Sequence, residues 1–141
     1  KAATEHISAP GWGHTEMGWG INPSGLTAIL LDIKERYSNP RVYVTENGCA
    51  LQDFPNAGGF VADWGRVGYL RGYLRALHDA IQAGADVAGY YAWSLMDNFE
   101  WHHGYRPRFG IVRVDYETRK RTPKQSALWY SEVIARNGME V

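Results

Sequence analysis

Two short runs rich in β-branched and aromatic residues, Val42–Thr45 and Val87–Trp93, flank one long amphipathic segment. That arrangement restricts the fold more than any other feature of the chain. Both runs suit buried strands. Between them, roughly Asp63 to Ala83 predicts a helix carrying Val67, Leu70, Leu74, Leu77 and Ile81 on one face, with Gly84 as its terminator. A connection of that length is a crossover, so the two strands run parallel. An earlier helix starts with Asn22 as cap and Pro23 at its first position. Leu26, Ile29, Leu30, Ile33 and Tyr37 share its face, and it stops near Ser38-Asn39-Pro40. A third helix is expected to open at Thr122-Pro123 and to end near Asn137-Gly138. Glu46–Phe60 and Ser94–Gly110 read as long loops, and Ile111–Tyr116 as a brief extended stretch.

The order is that of an α/β fold, yet two parallel strands do not stand alone, because parallel sheets are covered on both faces. A closed (β/α)8 barrel takes about 250 residues, and this chain has 141. It therefore reads as one portion of a larger α/β unit. It starts at Lys1, without a methionine, in aromatic and Gly-rich loop sequence, which suggests a processed or partial polypeptide.

Composition excludes several classes of function. Fifteen basic side chains balance fifteen acidic ones with no block of like charge, which argues against nucleic-acid and membrane-surface partners. No apolar run approaches the ~20 residues of a membrane span, and residues 1–20 lack a signal-peptide pattern. Cys49 is the only cysteine, so nothing demands an oxidising compartment. Six tryptophans and nine tyrosines stand out, several of the tryptophans in loop-like segments. A loop tryptophan is often a core plug; it also stacks well on the apolar face of a sugar ring.

In parallel α/β barrels the reactive groups sit where strands end. The first strand runs into Thr45-Glu46-Asn47-Gly48, a carboxylate at its exit. Taken alone, Glu46 is more often a solvated loop residue than a reactive one. The second strand ends in Trp93-Ser94-Leu95-Met96-Asp97-Asn98-Phe99-Glu100-Trp101.

Together, Val42–Gly48 (VYVTENG) and Gly89–Trp101 (GYYAWSLMDNFEW), continuing to Gly104-Tyr105 and Arg108-Phe109-Gly110, resemble the nucleophile motif and the final strand and sugar loop of glycoside hydrolase family 1. Met17-Gly18-Trp19 and Val114-Asp115-Tyr116 fit the same pattern. The resemblance covers nearly the whole chain. It implies a (β/α)8 TIM barrel, of which residues 1–141 supply the last portion: strands 7 and 8 with helices 6, 7 and 8. It also implies hydrolysis of β-glucosides with retention, without cofactor or metal, through a covalent glycosyl-enzyme on Glu46. Such chemistry needs two carboxyl groups about 5–5.5 Å apart. Glu100 is a tempting second carboxylate, but the resemblance makes it a ligand of the sugar's 4- and 6-hydroxyls. The family's acid/base lies in an Asn-Glu-Pro motif, and this sequence contains no such motif. It is therefore expected on an N-terminal barrel portion, present as a second chain or as the rest of the same enzyme.

By the same resemblance Trp93 is a stacking wall, Trp101 contacts the 3-hydroxyl, Phe109 closes the pocket and Trp19 stands at the entrance. Glu100 would repel a 6-phosphate, which favours unphosphorylated β-glucosides or short β-linked oligosaccharides, with galactosides or fucosides as further candidates. Asp97 and Asn98 are expected to brace the loop through bonds to its backbone. Pro107 stands where a basic or polar residue is commoner. His102-His103 is not expected to bind metal, since adjacent side chains rarely converge. The alternatives are a carbohydrate-binding module without catalysis and a partial barrel that self-associates to cover its sheet edges.

Overall fold

The computed structural model describes residues 9–139; Lys1, on which the reading of a processed start rests, lies outside them. Three helices and two small sheets follow in the order α1 (Pro23–Arg36), β1 (Val42–Asn47), α2 (Trp64–Gln82), β2 (Val87–Ala92), β3 (Val112–Val114), β4 (Arg121–Pro123) and α3 (Gln125–Arg136). A single 3-10 turn, Trp101–His103, interrupts the loop after β2. Among the described residues no helix is long and apolar enough to cross a membrane.

α1 begins where expected: the Asn22 side chain accepts from the Gly25 N–H at 3.2 Å, and proline fills the first turn. It ends as Ser38 and Asn39 turn left-handed, and the Asn39 amide then bridges to Gly84 O and Asp86 N. That bridge holds the start of β1 beside the start of β2. The two strands pair in parallel, Val42 opposite Val87 and Asn47 opposite Ala92. β1 runs two residues further than its apolar composition suggests, so Glu46 and Asn47 belong to the strand itself. Beyond the strand ends Trp93 N donates to Asn47 O at 2.9 Å.

Two expectations are corrected. The third helix does not open at Thr122-Pro123. Those residues close β4, antiparallel to β3, with Pro123 opposite Val112 at the end of a short edge strand that tolerates a missing N–H. Lys124 becomes the cap residue. The apolar face of α2 is also wider than expected. Val67 and Leu70 are buried, but so are Arg66, Tyr69, Tyr73, Ala76 and Ala80, whereas Leu74 and Leu77 are only half-buried and Ile81 is exposed. Likewise Leu30 of α1 is buried while Ile29 and Tyr37 are exposed. The core gathers Cys49, Tyr69, Leu70, Tyr73 and Ile111, with a second cluster of Leu30, Ala80 and Ala85 between α1, α2 and the strand starts.

The outer stripe of α2 faces a groove of about 590 Å³ shared with β2 and α3, lined by Leu74, Leu77, Ile81, Tyr130, Val133 and Ile134 among others. On the sheet, Val42 and Val44 are half-buried while Tyr43 and Tyr91 stand more than half exposed. No tryptophan is fully buried; Trp129 of α3, half-buried, is the one that packs against the main core cluster.

Candidate active site

The strand exits create one cavity of about 360 Å³. Its walls are Trp19, Glu46, Asn47, Gly48, Tyr69, Trp93, Glu100, Trp101 and Phe109. All six residues singled out from the sequence, Trp19, Glu46, Trp93, Glu100, Trp101 and Phe109, face this one space. The larger groove between α2, β2 and α3 has no carboxylate in its lining.

Close backbone approach makes the cavity. A Cβ added to Gly48 would sit 1.5 Å from the Trp93 carbonyl oxygen, so only glycine lets the residue after Asn47 pass beneath Trp93. The Trp93–Ser94 peptide is cis. Ser94 N then donates to Phe109 O at 3.1 Å, and Ile111 N returns to Ser94 O at 2.9 Å, which stitches the aromatic at 109 to the end of β2. Gly110 repeats the device: its Cβ would lie 2.1 Å from Asp97 N. Glu100 and Trp101 are presented by a tight turn in which Glu100 N donates to Gly104 O at 2.7 Å, and Trp101 and Gly104 have positive φ. Trp19 arrives from the loop before α1, its ring 5.9 Å from that of Phe109. That loop is tied down by Glu16 N to Ala50 O at 2.9 Å and by the Arg106–Glu16 ion pair at 3.0 Å.

The Asn47 amide is clamped from two sides, accepting from the Tyr90 hydroxyl at 2.7 Å and donating to the Tyr69 hydroxyl at 3.3 Å. Burial raises both phenols above their ordinary range and pushes the Cys49 thiol up to about 12, so all three stay protonated near neutral pH. Asn47, Gly48 and Tyr69 were missed as cavity residues from sequence. The available signal for Tyr69 was its position three residues after Arg66, on the stripe of α2 that the leucine pattern overshadowed.

Asp97 and Asn98 brace the loop. Asp97 accepts from Gly110 N at 3.0 Å and Val114 N at 3.3 Å, and Asn98 Nδ2 donates to Met96 O at 3.0 Å and Ser94 Oγ at 3.1 Å. His102 and His103 stack with ring centroids 3.8 Å apart. Among the described residues no group of three His, Cys, Asp or Glu side chains is arranged to hold a metal ion.

Comparison with known proteins supplies the family. The model of glycosyl hydrolase family 1 matches residues 1–139. The chain belongs to glycosyl hydrolase family 1. Beta-glucosidase A of Thermotoga maritima is 50% identical over 126 residues, 89% of this chain and 28% of that protein. The 1,4-beta-D-glucan glucohydrolase of Thermotoga neapolitana is 51% identical over 125 residues, again 89% of this chain and 28% of the relative. The solved family 1 β-glucosidase from Thermotoga maritima in complex with isofagomine lactam superposes with a TM-score of 0.90 at 48% identity, over 94% of this chain and 30% of that one. These family 1 neighbours are TIM barrels, and the chain spans less than a third of their length.

Proposed function

We propose that this chain is the C-terminal portion of a retaining β-glucosidase and acts only together with an N-terminal barrel portion. It contributes strands 7 and 8 (β1 and β2) and helices 6, 7 and 8 (α1, α2 and α3), and residues 1–141 are not a complete domain by themselves. One observation carries the reading: Glu46 opens onto the same cavity as Trp93, Glu100, Trp101 and Phe109. The share of the relatives' length that is matched, and the exposed Tyr43 and Tyr91 on the two-stranded sheet, support the need for the remainder.

In the proposed reaction the nonreducing glucosyl ring enters the cavity with an apolar face on Trp93. Glu100 accepts hydrogen bonds from the 4- and 6-hydroxyls, Trp101 meets the 3-hydroxyl, Phe109 closes the pocket and Trp19 borders the leaving group. A carboxylate accepting from two hydroxyls makes strong charge-assisted bonds, which orients the ring. The ionised Glu46 attacks the anomeric carbon while an acid on the N-terminal portion protonates the departing oxygen. Water, whose proton returns to that same N-terminal residue, then attacks the anomeric carbon of the glycosyl ester and releases glucose with retained configuration, and Glu46 is regenerated. The substrates are β-glucosides and short β-linked oligosaccharides, in line with the names and inhibitor complexes of the relatives.

The chain is combined with an N-terminal family 1 portion containing Asn-Glu-Pro and treated with an activated 2-deoxy-2-fluoro-β-glucoside. The expected result is one covalent sugar on the peptide containing Glu46, and its absence from a Glu46→Gln version. Equal turnover of an aryl β-glucoside by the isolated chain, or a label on another residue, is incompatible with the proposal.

A further inference from the structure

Behind the cavity lies a largely buried cluster of charges that the proposed reaction does not use. Lys124 is completely buried, and its ammonium is shared between Asp53 Oδ2 at 2.5 Å and Asp97 Oδ1 at 3.0 Å. Arg66, also buried, pairs with Asp53 at 2.9 Å and with Asp63, and donates to Arg108 O at 2.6 Å. Arg108 pairs with Asp97 at 3.0 Å. Three cations thus face three carboxylates, and the cluster is neutral as a whole. Its members come from the loop after β1, the loop after β2 and the starts of α2 and α3. Ion pairs sealed from water add little net stability compared with apolar packing, but they fix geometry where a partner has one place to go.

The connections lead to the sugar side of the cavity. Asp97 takes up Lys124 on the same oxygen that accepts from Gly110 N, the neighbour of Phe109. Its other oxygen holds Arg108 and Val114 N. One carboxylate therefore fastens both ends of the loop that carries Glu100 and Trp101, and Lys124 holds that carboxylate in place.

We propose that Lys124, through Asp97, is a positioning residue that sets how Glu100 meets the 4- and 6-hydroxyls, and so the preference for glucosides over sugars lacking both hydroxyls. The proposal rests on the reading of this chain as part of a β-glucosidase.

The test uses the barrel assembled from this chain and an N-terminal family 1 portion. It compares kcat/KM on an aryl β-glucoside and on its 4,6-dideoxy counterpart. Lys124→Met is expected to lower kcat/KM on the glucoside about tenfold or more, the worth of at least one charge-assisted hydrogen bond, and on the 4,6-dideoxy substrate less than about threefold. The double variant Lys124→Met/Asp97→Asn removes one charge of each sign, keeps the cluster neutral and guards against simple unfolding. The same selective loss is expected from it. Proportional losses on both substrates, or a folded double variant with wild-type selectivity, overturn the proposal. An unsubstituted assembly inactive on both substrates fails the underlying β-glucosidase reading instead, and the proposal with it.

Discussion

Replacing Gly48 with alanine tests how the cavity is built. The added methyl would lie 1.5 Å from the Trp93 carbonyl oxygen, 2.6 Å from its carbonyl carbon and 3.2 Å from its Cα. Cβ atoms in folded chains essentially never approach other heavy atoms closer than 3.0 Å, so the exits of β1 and β2 must part by roughly 1.5 Å. All three atoms are backbone, and no rotamer change relieves the clash. The hydrogen bond from Trp93 N to Asn47 O lies on the same seam and is lost or stretched with it. Glu46 and Trp93 leave their common cavity geometry together. A misplacement of about 1 Å at a reacting centre costs on the order of a hundredfold. The kcat/KM of the assembled barrel on an aryl β-glucoside is therefore expected to fall about a hundredfold or more, equivalent to ~2.7 kcal/mol of barrier. Thermal melting of the same samples separates this from unfolding. Gly68→Ala is the control, since its methyl meets nothing within 4 Å and sits inside α2. It should leave activity unchanged and stabilise by up to ~1 kcal/mol. A folded Gly48→Ala barrel that keeps more than about a third of wild-type kcat/KM refutes the reasoning.

Arg66→Met removes the buried guanidinium from Asp53 and Asp63 and leaves both carboxylates without it, so a loss of about 3–5 kcal/mol in urea unfolding is expected; a change under about 1 kcal/mol contradicts the assignment of Arg66 to the cluster. Burial pushes the Cys49 thiol from 9.0 up to about 12 and raises Tyr69 and Tyr90 in the same direction. Above about pH 9 for the thiol and about pH 10 for the phenols, the unfolded chain releases these protons while the folded one retains them, so stability falls as pH rises, by ~1.4 kcal/mol per pH unit for each such group. Urea midpoints at pH 8, 9.5 and 10.5 should decline, and less steeply in Cys49→Ala; a flat profile sinks the argument.

What could be read beforehand divides along the range of the forces involved. Helix ends were legible because Asn22-Pro23, Gly84 and Asn137 act on their own neighbourhood, and the structure uses all three in turns or caps. The parallel pairing followed from the length of the segment between the strands. The β3–β4 hairpin was not legible, because Arg121–Pro123 is three residues long, contains a proline and is defined only by its partner. The inner stripe of α2 was hidden for a related reason. Tyr69 and Tyr73 are buried with their hydroxyls bonded to Asn47 and to Asn22 N, partners that hydrophobic periodicity does not register. Of the cavity, the six side chains picked out through the motifs were visible, whereas Gly48, although inside the first motif, had no role of its own until the Trp93 carbonyl was seen against it.

The same division explains why the cavity lies above a buried charge cluster. Glu46, Glu100 and Trp101 stand on the ends of strands and on loops, where local backbone preferences fix very little. Lys124 meets Asp53 across 71 positions of sequence and Asp97 across 27, and Arg66 reaches Arg108 O across 42. Apolar contacts of similar range would hold these loops down but would let them slide, since burial is nearly indifferent to direction. Ion pairs and glycine-permitted backbone contacts are not. Gly48 under Trp93 and Gly110 against Asp97 fix distances, and the three cations facing three carboxylates fix orientation. The proposed reaction, which needs a carboxylate and a sugar ring held to within a fraction of an ångström, calls for both kinds of constraint.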